Sequence, residues 1–450
     1  MRLRYVIYVA VALAALSAAP SAAGASLFVC DQRCPYATIA SALAAASDGD
    51  TIAVRPGRYD GGFVIDKSVT LAGAGSAKTQ IVGGAPVVTV AEGVAVSIKR
   101  VSITGGGGTI GGGVVNHGSL LIAVSSVKDN SAFDPTTGLV GAGGLLNFGD
   151  ATLRRSVVEG NEGAGIVNRG LDIDYPHFGS LTLIATTVAA NTEDGVANQG
   201  DYEIGGGTAT ITRSTIADNG GWGFDSGGSA TVVKSTITRN AEGGMTSGNP
   251  ATIVRSRITE NGGFAGFADD SRNTRATISD SVIADNTGLG VYSGGFTEIK
   301  RSTISRNGGG ARVDNYNGSL FINGSSITGN SADYGGGIFV EGFGGGGATI
   351  VNSTVSGNSA RYKGGGIFLQ EFGAGLNIET SSLEHNRAAS GGGLFVGEES
   401  IATIAESNIR ANTATGGPGS GGGIFNDGGR VTLQSTLLEA NIPEDCVGCG

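Results

Sequence analysis

Two aspartates stand side by side at Asp269 and Asp270, with Arg272 and Arg275 close behind, so two carboxylates and two guanidinium groups fall within seven residues. Carboxylates beside cationic groups are the raw material of acid–base work. The same stretch also reads as a solvated loop whose charges offset one another. A second concentration of polar chemistry lies in LDIDYPHF (171–178) and DYE (201–203), where acids and aromatics alternate. It could wall a groove or hold a divalent ion, or it could be a surface loop. The three histidines are scattered, with His117 in NHGS, His177 in YPHF and His385 in EHN.

Two glycine motifs carry less. GGWGFD (220–225) begins like a calcium-binding nonapeptide but occurs once, with Gly227 where an aliphatic residue is required. GAGSAKT (73–79) lacks the glycine before Lys78 that a phosphate loop needs. Both are expected to be turns. Four cysteines lie at the extremes, Cys30 and Cys34, then Cys446 and Cys449. In an exported chain they read as small local disulfide loops, or as a tether to another chain, rather than as metal ligands.

Composition sets the frame for these side chains. Of 450 residues, 82 are glycine without a period of three, which excludes collagen, and 40% are apolar, which excludes simple disorder. Charge is 29 minus 39, or −10. That balance disfavours nucleic acid and anionic membranes as partners. No cofactor is expected; calcium is the ion the balance would accommodate.

The elements that position everything emerge from internal repetition. A hexad Ser/Thr-x-aliphatic-x-x-Asn occurs thirteen times, from SSVKDN (125–130) to TLLEAN (436–441), with successive Asn residues 21 to 31 apart. Each Asn is followed by a glycine cluster and a short apolar strand such as GGGIF (335–339), then by a strand of ATI type such as 209–211. Three strands and three turns in as few as 21 residues leave no room for a helix. Each repeat is therefore one triangular coil, stacked on the next at about 4.8 Å. The third hexad position, always Val, Ile or Leu, points inward. The Asn is expected to bond to local backbone and to its equivalents above and below, and to tolerate φ > 0.

Alternation then assigns outer faces. Four C-terminal coils present Phe339, Phe368, Phe395 and Phe425, a row that could stack sugar rings or seat a protein partner. The competing reading has the loops EGFGGGG (341–347) and QEFGAG (370–375) folding over and burying them. A second row, from Thr152 to Thr432, is broken at Glu298, Phe321 and Asn377, and reads as ordinary solvent-side strand threonine.

The ends complete the plan. Arg2 and Arg4, an apolar run Tyr5–Ala19, Pro20 and Ala23-Gly24-Ala25 predict a signal peptide over 1–25 and a secreted or surface-associated product. Its removal leaves 27 minus 39, or −12. No later apolar run is long enough for a spanning helix, so no membrane insertion is expected. Residues 26–50 are predicted as an N-terminal cap with a small helix, Ile39 and Leu43 on one face, and 51–450 as the solenoid of about fifteen coils.

CPYATIASALAAASDGDTIAVRPGRYDGGFVIDKSVTLAGAG (34–75) resembles the opening of pectin lyase-like right-handed β-helix proteins. The GGGI and I-x-x-N elements resemble the GGAI and FxxN repeats of polymorphic outer-membrane proteins. The resemblance spans nearly all the mature chain. It implies an all-β, single-stranded right-handed parallel β-helix. It does not imply one activity, since that superfamily includes lyases, hydrolases, phage tailspikes and adhesins. If the chain were lyase-like, Asp269, Asp270, Arg272 and Arg275 would be its candidates, holding calcium and supplying an arginine base. No histidine sits in the GHG of polygalacturonase-like relatives, and no autotransporter barrel follows the repeats. The expectation is a non-catalytic binding or adhesion protein for a polysaccharide or a surface protein. The alternative is a polysaccharide lyase or glycosidase acting on acidic polysaccharide.

Overall fold

A computed structural model of the chain describes residues 24–133, 141–169, 179–201, 205–270, 275–314, 318–342 and 346–449. The signal-peptide residues 1–23, the 171–178 insertion, most of DYE and Arg272 lie outside the described residues. The rest is a parallel β-solenoid with three long sheets of 17, 16 and 16 strands. The first, here the threonine sheet, runs from Ser26–Val29 to Arg430–Gln434. The hexad sheet runs from Gly57–Asp60 to Leu437–Glu439, and the glycine-strand sheet from Phe63–Ile65 to Cys446–Val447. Among the described residues one α-helix is present, Ile39–Ala45, with the Thr38 hydroxyl accepting from the Ser41 amide at 3.1 Å. It buries Ile39, Ala42 and Leu43. Strand Ser26–Val29 pairs in parallel with Thr51–Val54, so the first rung of the solenoid falls within the stretch predicted as cap.

The hexad dictates the core. Ile216, Ile237, Ile258, Ile283, Ile304 and Ile327 stand in register on successive strands, each essentially without exposure. Beside them runs the Asn ladder. Asn240 donates its side-chain amide to Asn261 Oδ1 at 2.9 Å, Asn261 donates to Asn286 Oδ1 at 3.0 Å, and each backbone N–H donates to the same oxygen. Each Asn also donates to the main chain of a preceding coil, as Asn261 does to the Ile237 carbonyl at 3.1 Å. The left-handed conformation expected of the Asn belongs instead to the residue before it, such as Asp218 (φ 58), Arg239 (φ 54) and Glu260 (φ 60). None of the ladder asparagines has a positive φ. A matching ladder uses the first hexad position, where Ser235 N–H donates to Ser256 Oγ at 3.2 Å.

The glycines answer to space. A Cβ on Gly244 would lie 2.3 Å from Ile258 Cγ2 and 3.0 Å from Asn261 Nδ2, so the glycine strand passes directly over the ladder. Replacing Asn261 by Ala leaves the Asn240 amide and N–H without their shared acceptor. A buried group so orphaned costs about 1–3 kcal/mol. Asn261→Ala should therefore lower stability by that amount or somewhat more, read by thermal or urea unfolding; an unchanged midpoint would show that water replaces the ladder bond.

Two features depart from a plain three-sided coil. A short fourth sheet, Ser331–Tyr334, Ser359–Lys363, Arg387–Ala388 and Thr413–Ala414, is added to the C-terminal coils. The cysteines close two local loops, Cys30–Cys34 and Cys446–Cys449.

Candidate functional site

The outer face of the glycine-strand sheet carries the informative side chains. Register places Ala197, Asp225, Thr246, Ala268, Tyr292, Arg312, Phe339, Phe368, Phe395 and Phe425 in one row, one residue per coil. The row changes character along its length, from acid and hydroxyl through Tyr292 and Arg312 to phenylalanine.

At its polar end lies a cleft of about 550 Å³, lined by Gln199, Trp222, Asp225, Thr246 and Asp270, with glycine and serine backbone between them. GGWGFD, predicted as a turn, is mostly strand (Trp222–Ser226) and supplies two of those residues. Trp222 lies flat on the neighbouring coil: a Cβ on Gly243 would meet its Cζ3 at 2.3 Å, so only glycine leaves room for the indole. The Trp222 N–H donates to Asp194 Oδ1 at 2.7 Å. Burial pushes the Asp194 carboxyl up to about 6, against the pull of that N–H, and the charges of Asp225, Glu242 and Glu193 add to the rise. The folded chain thus holds this proton more tightly than an unfolded one. The stability it contributes is present at low pH and lost as pH rises through about 6. Asp225 is likewise raised, by burial and then by the charge of Asp270. Thr246 donates its hydroxyl to Asp270 Oδ2 at 3.1 Å.

The acid pair read from sequence is split by the fold. Asp269 is fully buried, in register with Ser247 and Ser293, and the Thr297 hydroxyl donates to its Oδ2 at 3.2 Å. It continues a second polar ladder, in which Asn116, Asn147, Asn168, Asn198 and Ser226 are linked at 2.6–3.0 Å. Asp270, one residue on, is exposed and reaches the cleft. Arg275 begins the next threonine-sheet strand, pairs with buried Glu298, and sits 4.7 Å over the Phe296 ring. Burial pushes Glu298 up, but its hydrogen bonds from Lys300 and Arg275 hold it below the usual carboxylate range. Asp270 and Arg275 therefore serve different faces. Among the described residues no group of three or more His, Cys, Asp or Glu side chains is placed to hold a metal ion.

Beyond the cleft, Tyr292 packs edge-on against Phe264 with centroids 5.2 Å apart. Burial, then the charge and hydrogen bond of Asp314, push its hydroxyl up to about 12. Arg312 pairs with Glu341 and lies 5.2 Å over the Phe339 ring. The phenylalanines form a continuous stack, with centroid separations of 5.1, 5.4 and 5.2 Å. They are not an open platform of four. Phe368 is 6% exposed and Phe395 1%, while Phe339 and Phe425 are half-buried. The cover comes from the fourth sheet: Tyr334 lies 5.4 Å from Phe368, and Lys363 Nζ 4.3 Å from the Phe395 centroid. The exposed rings are the tyrosines of that cover, Tyr334 and Tyr362, 5.3 Å apart. Sequence reasoning passed over them; their signal is the tyrosine within the few residues ahead of a glycine cluster, in ADYGGG (332–337) and RYKGGG (361–366).

A family model for the right handed beta helix region matches residues 145–295, 178–332 and 244–386, which together run over more than half the chain. The chain belongs to this right-handed β-helix family. Among curated proteins none matches the sequence significantly. Among solved structures, the A-module of the mannuronan C-5 epimerase AlgE4 from Azotobacter vinelandii is similar at TM-score 0.38 and 15% identity, covering 92% of this chain and 94% of that one. The pectate lyase Pel9A is similar at TM-score 0.33 and 14% identity, covering 69% of this chain and 76% of its own. Likeness at that level carries nothing about chemistry.

Proposed function

We propose that this protein is an exported, surface-associated β-helix that binds a polysaccharide in the cleft on the glycine-strand sheet and does not turn it over. The observation that supports this most is the makeup of the cleft. An indole held flat on Gly243 offers an apolar face for a sugar ring, and Gln199, Asp225, Thr246 and Asp270 offer the polar groups that sugar hydroxyls need. Its lining comes from four successive coils, so the cleft runs along the solenoid axis, the direction an extended glycan would follow. Export is supported by the predicted leader and by two disulfides, which persist in an oxidising compartment. Among the described residues no helix is long and apolar enough to cross a membrane.

The test is calorimetric titration with neutral and acidic oligosaccharides. A bound glycan should lose about tenfold or more in affinity with Asp225→Asn plus Asp270→Asn, since hydrogen bonds to charged groups contribute about 1.5–3 kcal/mol each. Melting should stay near the wild-type value. Unchanged affinity in the double variant would remove the cleft from the proposal.

A second reading, a polysaccharide lyase or glycosidase, is favoured by one observation. Asp194, with a carboxyl at about 6, lies within electrostatic reach of Asp225, and environments that separate carboxyl pKa values are how acid and base roles are assigned. Release of reducing or unsaturated ends from pectate, alginate or a neutral glycan, with or without calcium, and its loss in Asp225→Asn, would replace the binding reading with this one.

A further inference from the structure

The fourth sheet carries its own surface, separate from the cleft. Its strands stack in parallel with Ser331, Ser359, Arg387 and Thr413 in register, while Ala360, Ala388 and Ala414 are buried beneath. Over the alanines runs a groove of about 560 Å³, lined by Ser331, Asp333, Ser359, Arg361, Arg387 and Thr415. Elsewhere on the solenoid Arg239, Arg301, Arg306 and Arg410 each close an ion pair with an acid one coil back. Arg361 and Arg387 have no carboxylate within 4.0 Å among the described residues. Arg361 is held 5.0 Å over the ring of Tyr362, which with Tyr334 forms a ledge of two rings about 40% exposed.

We infer that this face is a second glycan site, which takes a sulfate ester carried on a polysaccharide. Two guanidinium forks and the Ser331 hydroxyl, which accepts from Ser359 and keeps its own proton to give, are a donor-rich set, more than the two oxygens of a carboxylate can use and suited to the three terminal oxygens of a sulfate. The tyrosine ledge lies where the sugar bearing that sulfate would rest its apolar face. Asp333, the one acid in the groove, accepts from a sugar hydroxyl. In a chain of net charge −10, adsorption of a polyanion over the surface at large is opposed.

The experiment is calorimetry with dextran sulfate oligosaccharide, unsulfated dextran and polygalacturonate, at about 150 mM salt, where charges beyond about 8 Å are screened. Dextran sulfate should bind, dextran should not, and polygalacturonate should bind at least tenfold more weakly. Arg361→Gln with Arg387→Gln should weaken dextran sulfate at least tenfold without moving the melting temperature. Arg361→Lys with Arg387→Lys should fall between, because charge is kept and the fork is lost. Protein carrying Asp225→Asn and Asp270→Asn should bind dextran sulfate as wild type does, which separates this site from the cleft. Absence of binding, equal binding of polygalacturonate, or an unaffected glutamine variant would each overturn the inference.

Discussion

Protein carrying Ile258→Asp is expected to lose the coils on either side of residue 258, by more than about 4 kcal/mol, the range reached by burying an unpaired charge. Ile258 is 1% exposed and stacks between Ile237 and Ile283, with Gly244 pressed against its Cγ2. A carboxylate there has isoleucines above and below and no donor within the stack. Because each coil touches only its neighbours, the damage should spread along the axis rather than across it. Hydrogen exchange should show protection lost first in the strands around 237, 258 and 283, with the terminal coils retained. The conservative Ile258→Val should cost only about 0.5–1.5 kcal/mol. A melting curve for Ile258→Asp that overlays the wild type would mean that this side chain does not point inward.

The phenylalanine stack gives the second large effect. Phe368→Ala and Phe395→Ala should each lower stability by about 3–5 kcal/mol, as for buried aromatic truncation. Each ring contacts two others in the stack, Tyr334 roofs Phe368, and Lys363 roofs Phe395. Phe339→Ala and Phe425→Ala remove half-buried rings and should cost distinctly less. If Phe395→Ala melts like the wild type while glycan affinity drops, the roof is open in solution and the rings themselves are the platform.

The solenoid was legible because its information is local and repeated. The aliphatic hexad position and the Asn appear in every copy, and one correct assignment fixes thirteen coils. The fourth sheet was not legible in the same way. Its strands Ser331–Tyr334 and Ser359–Lys363 occupy what reads as an Asn-to-glycine turn, and their pairing depends on insertions of four and five residues in adjacent coils, reconciled by a register shift after Ala332, rather than on an apolar pattern. That hidden strand decides the fate of Phe368 and Phe395, since alternation tells which way a side chain leaves a sheet but not what lies above it. Asp269 and Asp270 show the complementary limit. Adjacent in sequence, they part at the end of a strand, where one completes an internal ladder and the other faces the cleft. Trp222 and Asp225 were visible within GGWGFD, but the glycines drew the reading towards a turn. Those glycines instead make room for neighbouring coils, Gly220 and Gly221 for the one before and Gly223 for the one after.

The Asn ladder has a direction. From Asn130 to Asn441 every side-chain oxygen receives hydrogen bonds from the coil before, and from Asn130 to Asn412 every amide passes one to the coil after. Twelve polarised links thus add head to tail, leaving an unmet donor end at the C-terminal coil. Asp445 sits at that end, its Oδ1 taking both the N–H and the side-chain amide of Asn441, at 3.0 and 2.8 Å. An acid is the natural terminus for such a series: it accepts without needing to donate, and its negative charge answers the positive pole. At the opposite pole Asn130 takes the N–H of Gly106, so both ends of the series close on the chain itself. The solenoid is polar along its axis, and its two ends are not interchangeable.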